Sequence, residues 1–357
     1  DDILMKDVTL TGSTLAATAT GGTIELGHLT ARDISGVKRS VVTLTAGGDI
    51  LMKDVLLVGS TLNATATNGN ITLFTLTANT ESTVTLKADA ASGNIGIGDV
   101  VAGDSEVTLT AGGGIGLEDV EITTGTLTVT ATNGSITLLT LTANAGSTVT
   151  LIATVGNIGI GDVVAGDSEV TLTAGGNVAL EDVEITTGTL DATATNGTLT
   201  LYHLTARDLS GVTLTAGGGI TVKNVLLVGS TLDATATTGN ITLFTLTANT
   251  VSVATLTAKG NILTGAVSLE AGELTATSKE GTVTLGAVTA VNGSSAALDG
   301  KGDVKAGDTE LEGSDFEAKS GAAMELGTVT ATGQSGIILT AGGDILVKDV
   351  LLVGSTL

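Results

Sequence analysis

The 357-residue sequence contains no proline and no cysteine, and its aromatic residues are three phenylalanines and one tyrosine. Proline cannot donate a hydrogen bond to a β ladder, so its absence favours strands that are paired on both sides. The lack of cysteine excludes disulfides and thiolate metal sites. Because Phe74, Phe244, Phe316 and Tyr202 are the only aromatic residues, we expect a core of Val, Ile, Leu and Ala.

Positive charge is also scarce, because 14 Lys and Arg residues stand against 37 Asp and Glu residues, for a net charge of −23. Such a surface is a poor partner for nucleic acid and for anionic lipid. No apolar run approaches the ~18 residues of a membrane helix, so no membrane insertion is expected. The sequence has no signal peptide and stops inside a repeat at Leu357. We therefore expect a segment of a longer array.

One pattern recurs through the whole sequence. An apolar residue, here called the anchor, is followed by an apolar residue two positions later in nearly every copy, and by Val or Leu five positions later in every copy except at Thr309. The mean spacing of about 21 residues is that of a solenoid repeat and predicts one continuous domain over residues 1–357. The anchors are Ile3, Ile24, Ile50, Ile71, Ile95, Ile115, Ile136, Ile158, Val178, Leu199, Ile220, Ile241, Ile262, Val283, Val304, Met324 and Ile345.

Between anchors the pattern has a period of two residues. In residues 107–111 apolar residues alternate with threonine, which is typical of a half-buried strand. One extra residue in the anchor segment indicates a bend, so each coil should have about three short strands and three corners, often with Gly-Gly or Asn-Gly before the next anchor. One coil cannot cover its own core, so neighbouring coils must stack. The sequence therefore predicts an all-β, right-handed parallel β-helix of about 16 coils of about 21 residues.

Some coils depart from the average. Two are long, and we place their extra residues near 38–42 and 88–92. Residues 299–319 are densely charged, with Phe316 expected at the inward position that Leu62 has elsewhere. Residues 93–113 and 156–176 are close to identical, which indicates internal duplication and a coil number that is not critical.

Residues for catalysis are few. The two histidines, His28 and His203, both occupy the fourth position after an anchor, so we interpret them as corner residues. A Ser/His/Asp triad, a zinc site and a phosphate loop all lack the necessary residues. Polysaccharide-cleaving β-helices need clustered carboxylates beside a basic or aromatic cleft, and the basic residues Arg32, Lys38 and Arg39 are interpreted as a solvated loop. The chain is therefore predicted not to be an enzyme, with no catalytic, cofactor-binding or metal-binding residues assigned.

The same fourth position is often aspartate. We expect these carboxylates to accept hydrogen bonds from nearby backbone N–H groups at a corner. Asp99 and Asp119 belong to successive coils, as do Asp162 and Asp182, and stacked carboxylates repel unless they are screened, protonated or bridged by a cation. A Ca²⁺ bridge is therefore an alternative. The residues at this position that are aspartate are Asp7, Asp54, Asp99, Asp119, Asp162, Asp182, Asp308 and Asp349.

Threonine pairs separated by one residue, such as Thr108 with Thr110 and Thr128 with Thr130, should form outward rows on stacked strands. Such rows resemble the flat arrays of ice-binding β-helices, whereas the simpler explanation is that threonine suits exposed strand positions. The rows are interrupted at Asn63, Lys87, Ile152, Asp191 and Asp233.

The repeated segments LTAGGDI at 44–50, TNGNITL at 67–73 and VTLTAGGGI at 107–115 resemble those of filamentous-haemagglutinin-type exoproteins. These are large bacterial β-helical adhesins exported by two-partner or autotransporter routes. The resemblance implies an extracellular or cell-surface structural stalk without catalysis. A host or neighbouring-cell receptor and end-to-end contacts with further coils or other copies are the partners it suggests. The alternative is a module that binds along one face, either to ice through the threonine rows or to glycans.

Overall fold

The structure is a computed structural model that describes residues 1–34 and 38–357. The chain is all-β and forms a right-handed parallel β-helix of about 17 turns with about 21 residues per turn, as expected. The described residues include no helix. Contacts divide the chain into two compact units, Asp1–Leu180 and Glu181–Leu357, and each unit is described by itself.

In the first unit, nine-residue strands alternate with six-residue strands. The strands are β1 (Ile3–Thr11), β2 (Thr14–Ala19), β3 (Ile24–Arg32), β4 (Val41–Ala46), β5 (Ile50–Val58), β6 (Thr61–Ala66), β7 (Ile71–Asn79), β8 (Thr83–Ala88), β9 (Ile95–Gly103), β10 (Glu106–Ala111), β11 (Ile115–Thr123), β12 (Thr126–Ala131), β13 (Ile136–Asn144), β14 (Thr148–Ala153), β15 (Ile158–Gly166) and β16 (Glu169–Ala174).

The unit boundary falls within β17 (Val178–Thr186), and the same alternation follows it. The strands are β18 (Thr189–Ala194), β19 (Leu199–Arg207), β20 (Gly211–Ala216), β21 (Ile220–Val228), β22 (Thr231–Ala236), β23 (Ile241–Asn249), β24 (Val253–Ala258), β25 (Ile262–Glu270), β26 (Glu273–Ser278), β27 (Val283–Leu285), β28 (Val288–Val291), β29 (Ser295–Gly300), β30 (Val304–Ala306), β31 (Thr309–Glu312), β32 (Asp315–Ser320), β33 (Met324–Thr332), β34 (Gly336–Ala341) and β35 (Ile345–Val353).

Within each unit, strands pair in parallel with the equivalent strand of the next coil, and anchor lies opposite anchor. In the first unit, Ile50 pairs with Ile24 and Ile71. In the second unit, Ile220 pairs with Leu199 and Ile241. The register read from the sequence is therefore confirmed.

The expected third strand is present in only part of the molecule. In most coils the bend lies inside one continuous nine-residue strand, so the coil has two strands rather than three. Among the described residues, the strand is divided only around Gly286 and Gly307, into β27 and β28 and into β30 and β31. The Gly286 N–H donates to the carbonyls of both Thr264 and Gly265, which breaks the regular ladder at that point.

The core consists of apolar side chains that point into the coil. Ile50 and Leu62 are fully buried, and Val120 is 1% exposed. The only aromatic core residue among the described residues is Phe316, which is 1% exposed and pairs with Ala296 and Ile337 in the inward column, as expected. Apolar burial on this pattern is the main stabilising term for each coil.

The two long coils hold their extra residues in connections. The first insertion was placed too late in the sequence, because Val41 and Val42 belong to β4, where they pair with Thr61 and Leu62. The insertion lies instead between β3 and β4, at residues 33–40, of which 35–37 fall outside the described residues. The second lies after β8, where the Gly93 N–H donates to the Ala90 carbonyl at 2.8 Å, in agreement with the expected position.

A ladder of buried serines runs along the corner after most of the long strands, with glycine instead at Gly125, Gly188 and Gly272. The sequence analysis did not anticipate this ladder. The Ser60 N–H donates to Ser82 Oγ at 3.3 Å, and the Ser82 N–H donates to Ser105 Oγ at 3.2 Å. Each Oγ in turn donates to a carbonyl just before the corner, as Ser60 does to Val58. The preceding residue has positive φ, at 60° for Gly59, which turns the serine inward.

A second ladder precedes the anchors. The Asn70 N–H donates to Asp49 Oδ1 at 2.7 Å, the Asn94 N–H to Asn70 Oδ1 at 2.9 Å, and the Gly114 N–H to Asn94 Oδ1 at 2.7 Å. The side chain of one coil thereby accepts a hydrogen bond from the backbone of the next. Both ladders fix the distance and register of adjacent coils at corners, where the strand ladder is interrupted.

Candidate functional site

The polar residues four positions after the anchors form hydrogen-bonded stacks at the bend. In the first unit, His28 Nδ1 lies 2.8 Å from Asp54 Oδ2, and the Thr75 hydroxyl donates to Asp54 Oδ1 at 2.9 Å. The aspartate therefore accepts from side chains of both neighbouring coils. The expected backbone donors are found at Asp308, which accepts from the Thr328 N–H at 2.9 Å.

His203 occupies an equivalent stack in the second unit. Its Nε2 lies 3.9 Å from Asp182 Oδ1, and its Nδ1 is 3.0 Å from the amide nitrogen of Asn224. Thr245 continues the stack by donating its hydroxyl to Asn224 Oδ1 at 2.9 Å. Both histidines thus have the structural surroundings expected of corner residues.

The carboxylates of Asp99 and Asp119 lie on successive coils, because Leu117 pairs with Ile97 and Val120 pairs with Val100. Asp119 accepts from the Thr140 hydroxyl at 2.7 Å. Among residues 1–34 and 38–357, no group of three or more His, Cys, Asp or Glu side chains is arranged to hold a metal ion. The other expected pair divides between units: Asp162 pairs with Thr140, and Asp182 belongs to the stack of His203.

Charged side chains elsewhere form exposed pairs between different coils. Arg39, in the basic loop, lies 2.8 Å from Glu81. In the densely charged region, Lys305 Nζ donates to Glu325 at 3.0 Å, and this hydrogen bond and the charge of Glu325 raise the pKa of Lys305 above 10.5. These contacts agree with the expected outward orientation of the charges.

The threonine rows form as expected on the outer side of the six-residue strands. In the first unit, Thr85, Thr108, Thr128, Thr150 and Thr171 are register partners on five successive coils. The second unit has a five-threonine column two positions further along the strands, which consists of Thr193, Thr215, Thr235, Thr257 and Thr277. Its column equivalent to that of Thr85 is interrupted by Asp191 and Asp233. The adjoining column of the first unit is interrupted by Lys87 and Ile152.

Three of the four aromatic residues are exposed at the third position after an anchor. Phe74 is 62% exposed, Phe244 is 56% exposed and Tyr202 is 46% exposed. Lys223 extends over Tyr202, with Nζ 3.8 Å from the ring centroid, a cation–π contact. The signal for this outward column was present in the sequence, because the extra residue of the bend places the third position on the outside.

Phe74 borders an open depression in the first unit, which we call the Gly96 depression. Its volume is about 570 Å³, and it adjoins a second hollow of about 530 Å³ that shares Thr72, Gly96 and Gly116 with it. In this column Thr72 pairs with Gly96, Gly96 with Gly116, and Gly116 with Thr137. Two glycines between two threonines thus leave the surface hollow.

No protein-family model, curated protein or solved structure matches this chain. Within the described ranges, 1–34 and 38–357, there is no helix long and apolar enough to cross a membrane. The coil pattern and the surface features above are therefore the basis for assigning a function.

Proposed function

We propose that the chain is a non-catalytic structural segment of an extracellular bacterial adhesin or surface fibre. The observation that carries this proposal is the equivalence of the coils: within each unit, successive strands pair anchor to anchor, and their inward residues are small or medium apolar side chains. Equivalent coils make a repeat array extensible, because each coil depends on its neighbours alone. Extensibility suits a spacer, because the function of a spacer depends on its length.

The extensibility can be tested with a seamless deletion. Residues 93–113 and 156–176 have the same sequence, so removal of residues 93–155 joins Ser92 to Gly156 and preserves the phase of every strand. We expect this variant to keep a β-rich circular dichroism spectrum and cooperative unfolding. Removal of residues 93–145 instead would place Thr148 at an anchor position, and this control should unfold at a clearly lower temperature. Equal stability of the two variants would contradict the equivalence of coils.

The extracellular location needs a separate experiment. On intact cells of a producing organism, antibody raised against the chain should label the outer surface without permeabilisation. Labelling that appears only after lysis would overturn the proposal. Turnover of a polysaccharide or other substrate by the purified chain would contradict the non-catalytic assignment.

We also propose that the last coil of the 357-residue polypeptide is covered by a β-coil of a second copy. In this coil the anchor Ile345 is 45% exposed and Val350 is 46% exposed, whereas the anchor Ile50 is fully buried. An uncovered strand edge with apolar side chains is a template for pairing. The 357-residue polypeptide should therefore associate as its concentration rises, as measured by analytical ultracentrifugation, and a monomer at high concentration would contradict this contact.

Ice binding is a second candidate, favoured by the aligned threonines of β8, β10, β12, β14 and β16. Their spacing is regular, at ~4.8 Å between coils and ~6.6 Å along a strand. If this surface binds ice, the purified chain should show thermal hysteresis that Thr128→Lys removes. Thr142→Lys, on the outer side of β13, is the matched control and should leave the hysteresis unchanged. Absence of hysteresis in the parent chain would exclude this candidate.

A further inference from the structure

We propose that the Gly96 depression is a binding site for a neutral saccharide. It is formed by outward residues of β7, β9 and β11, with Phe74 at one side, Gly96, Gly98 and Gly116 at the floor, and Asp99 and Glu118 at the rim. The inference is independent of the stalk proposal, because a spacer can carry a local binding site or lack one.

Phe74 supplies the apolar contact. Its side chain is 62% exposed, and it is one of only four aromatic residues in the sequence. An aromatic ring held at the edge of a concave surface offers a flat apolar face. The C–H groups on one side of a pyranose ring form a matching apolar surface, whereas the hydroxyls at the ring edge remain available for hydrogen bonds.

The rim supplies hydrogen-bond acceptors. Within residues 1–34 and 38–357, neither the Asp99 nor the Glu118 side chain has a hydrogen-bond or ion-pair partner, whereas Asp54 and Asp119, in the same column as Asp99, accept from neighbouring side chains. Glu118 Oε2 lies 3.9 Å from the place where a Cβ of residue 98 would be, so this carboxylate leans over the floor. Unpaired carboxylates above a hollow suit hydroxyl donors, because hydrogen bonds to a charged acceptor are strong.

Charge restricts the ligand further. The residues that line the two hollows include no Lys, Arg or His, and the chain carries a net charge of −23. Phosphate, sulfated glycans and uronates are therefore repelled. Two carboxylates do not make a cation site of the usual ligand number. A neutral sugar can pack its C–H groups against the aromatic ring and donate hydrogen bonds from its hydroxyls to the carboxylates.

The floor offers a variant that fills the site without disturbing the fold. A Cβ at Gly96 would meet no atom within 4 Å, and threonine already occupies this column at Thr72 and Thr137. Gly159 has the same property and lies at the same place in the identical segment 156–176, outside the depression. Gly96→Thr and Gly159→Thr thus make the same chemical change in the same local sequence. Gly96 lies in the depression, whereas Gly159 lies outside it.

Titration calorimetry of the intact chain with hexasaccharides of glucose, mannose and N-acetylglucosamine in β-1,4 linkage tests the proposal. At least one of these probes should bind, and Gly96→Thr should weaken it by at least about tenfold, or ~1.4 kcal/mol. Gly159→Thr should bind like the parent. Phe74→Thr should also lose binding, whereas Phe244→Thr, in the identical segment ITLFTLTAN of β23, should retain it.

Three results would overturn the proposal: no binding to any of the three probes, full binding by Gly96→Thr, or stronger binding of sulfated than of neutral hexasaccharides. Abolition of binding by a metal chelator would also overturn it, because the carboxylates would then act through a cation. Circular dichroism melting of each variant confirms that the strands remain folded. The stalk proposal does not depend on any of these outcomes.

Discussion

The imidazole of His28 and the carboxylate of Asp54 meet at 2.8 Å across two adjacent coils, with both side chains about half exposed. Asp54 accepts a second hydrogen bond from Thr75. Asp54 therefore links side chains of three consecutive coils at the bend.

Asp54→Ala should lower the free energy of unfolding by about 0.5–1 kcal/mol, because exposed ion pairs and hydrogen bonds contribute little each. Asp99→Ala is the matched control, since Asp99 occupies the same column without a partner among the described residues. It should change stability by less, as measured by urea denaturation. Equal losses would mean that the contacts of Asp54 contribute nothing.

Val183→Asp should be far more damaging. Val183 is 2% exposed, so the substitution places an unpaired carboxylate in an apolar core and should cost several kcal/mol, about 3–5. Glu184→Gln, at the exposed position next to it, should have almost no effect. The melting temperatures of the two variants check this, and a parent-like Val183→Asp would show that the inward register is wrong.

Ser294→Ala tests the serine ladder. Ser294 is 2% exposed, its Oγ accepts from the Gly272 N–H at 3.1 Å and donates to the Val291 carbonyl at 2.6 Å. Alanine would leave the buried Gly272 N–H unpaired, at a cost of about 1–3 kcal/mol. Ser295→Ala, one position later and partly exposed, should cost less than half as much in chemical denaturation. A neutral Ser294→Ala would mean that water replaces the hydroxyl.

Calcium should not act as a specific ligand at Asp99 and Asp119. With no group of three ligands in the described part of the chain, Ca²⁺ and Mg²⁺ at equal ionic strength should raise the melting temperature equally, by screening the net charge of −23. Differential scanning calorimetry gives the comparison. A larger shift with Ca²⁺ that Asp119→Asn removes would establish the bridging site instead.

The pKa of Lys305 offers a local test of the charged region. The Glu325 carboxylate raises this pKa above 10.5, so the pair's contribution is complete below pH 10.5 and is lost as pH rises through the higher folded value. Glu325→Gln should lower the pKa toward its ordinary value in an NMR titration of the Lys305 ammonium group. An unchanged pKa would mean that the hydrogen bond is absent in solution.

The repeat made most of the fold predictable. The anchor spacing gave the β-helix, the apolar position five residues after each anchor placed Val183 in the core, and period-two alternation placed Phe316 there. The sequence analysis expected two short strands on either side of the bend, because the extra residue there interrupts the period-two pattern. In most coils one nine-residue strand continues through the bend, with hydrogen bonding intact on both sides. The first insertion was placed too late because the sequence around Val41 and Val42 fits both the end of a loop and the start of a strand, and the structure shows that they start β4.

The surface was less predictable. Serine at a corner is usually interpreted as a turn former, and its burial depends on how closely adjacent coils stack. The Gly96 depression required three coils in register, because Phe74, Gly96 and Glu118 are 44 residues apart at the extremes. The outward orientation of a side chain can be derived from the sequence of one coil. A hollow depends on which side chains lie next to each other on several coils.

The pairing of each strand with the coil next to it also bears on how the chain folds. Paired residues are about 21 positions apart in a chain of 357, a ratio of ~0.06, whereas β-sandwiches reach ~0.16–0.22 and helical bundles ~0.07–0.12. By this measure the protein has the contact order of a helical protein despite its all-β structure. A coil leaving the ribosome needs only the coil synthesised just before it, so the chain can assemble during translation, one turn after another.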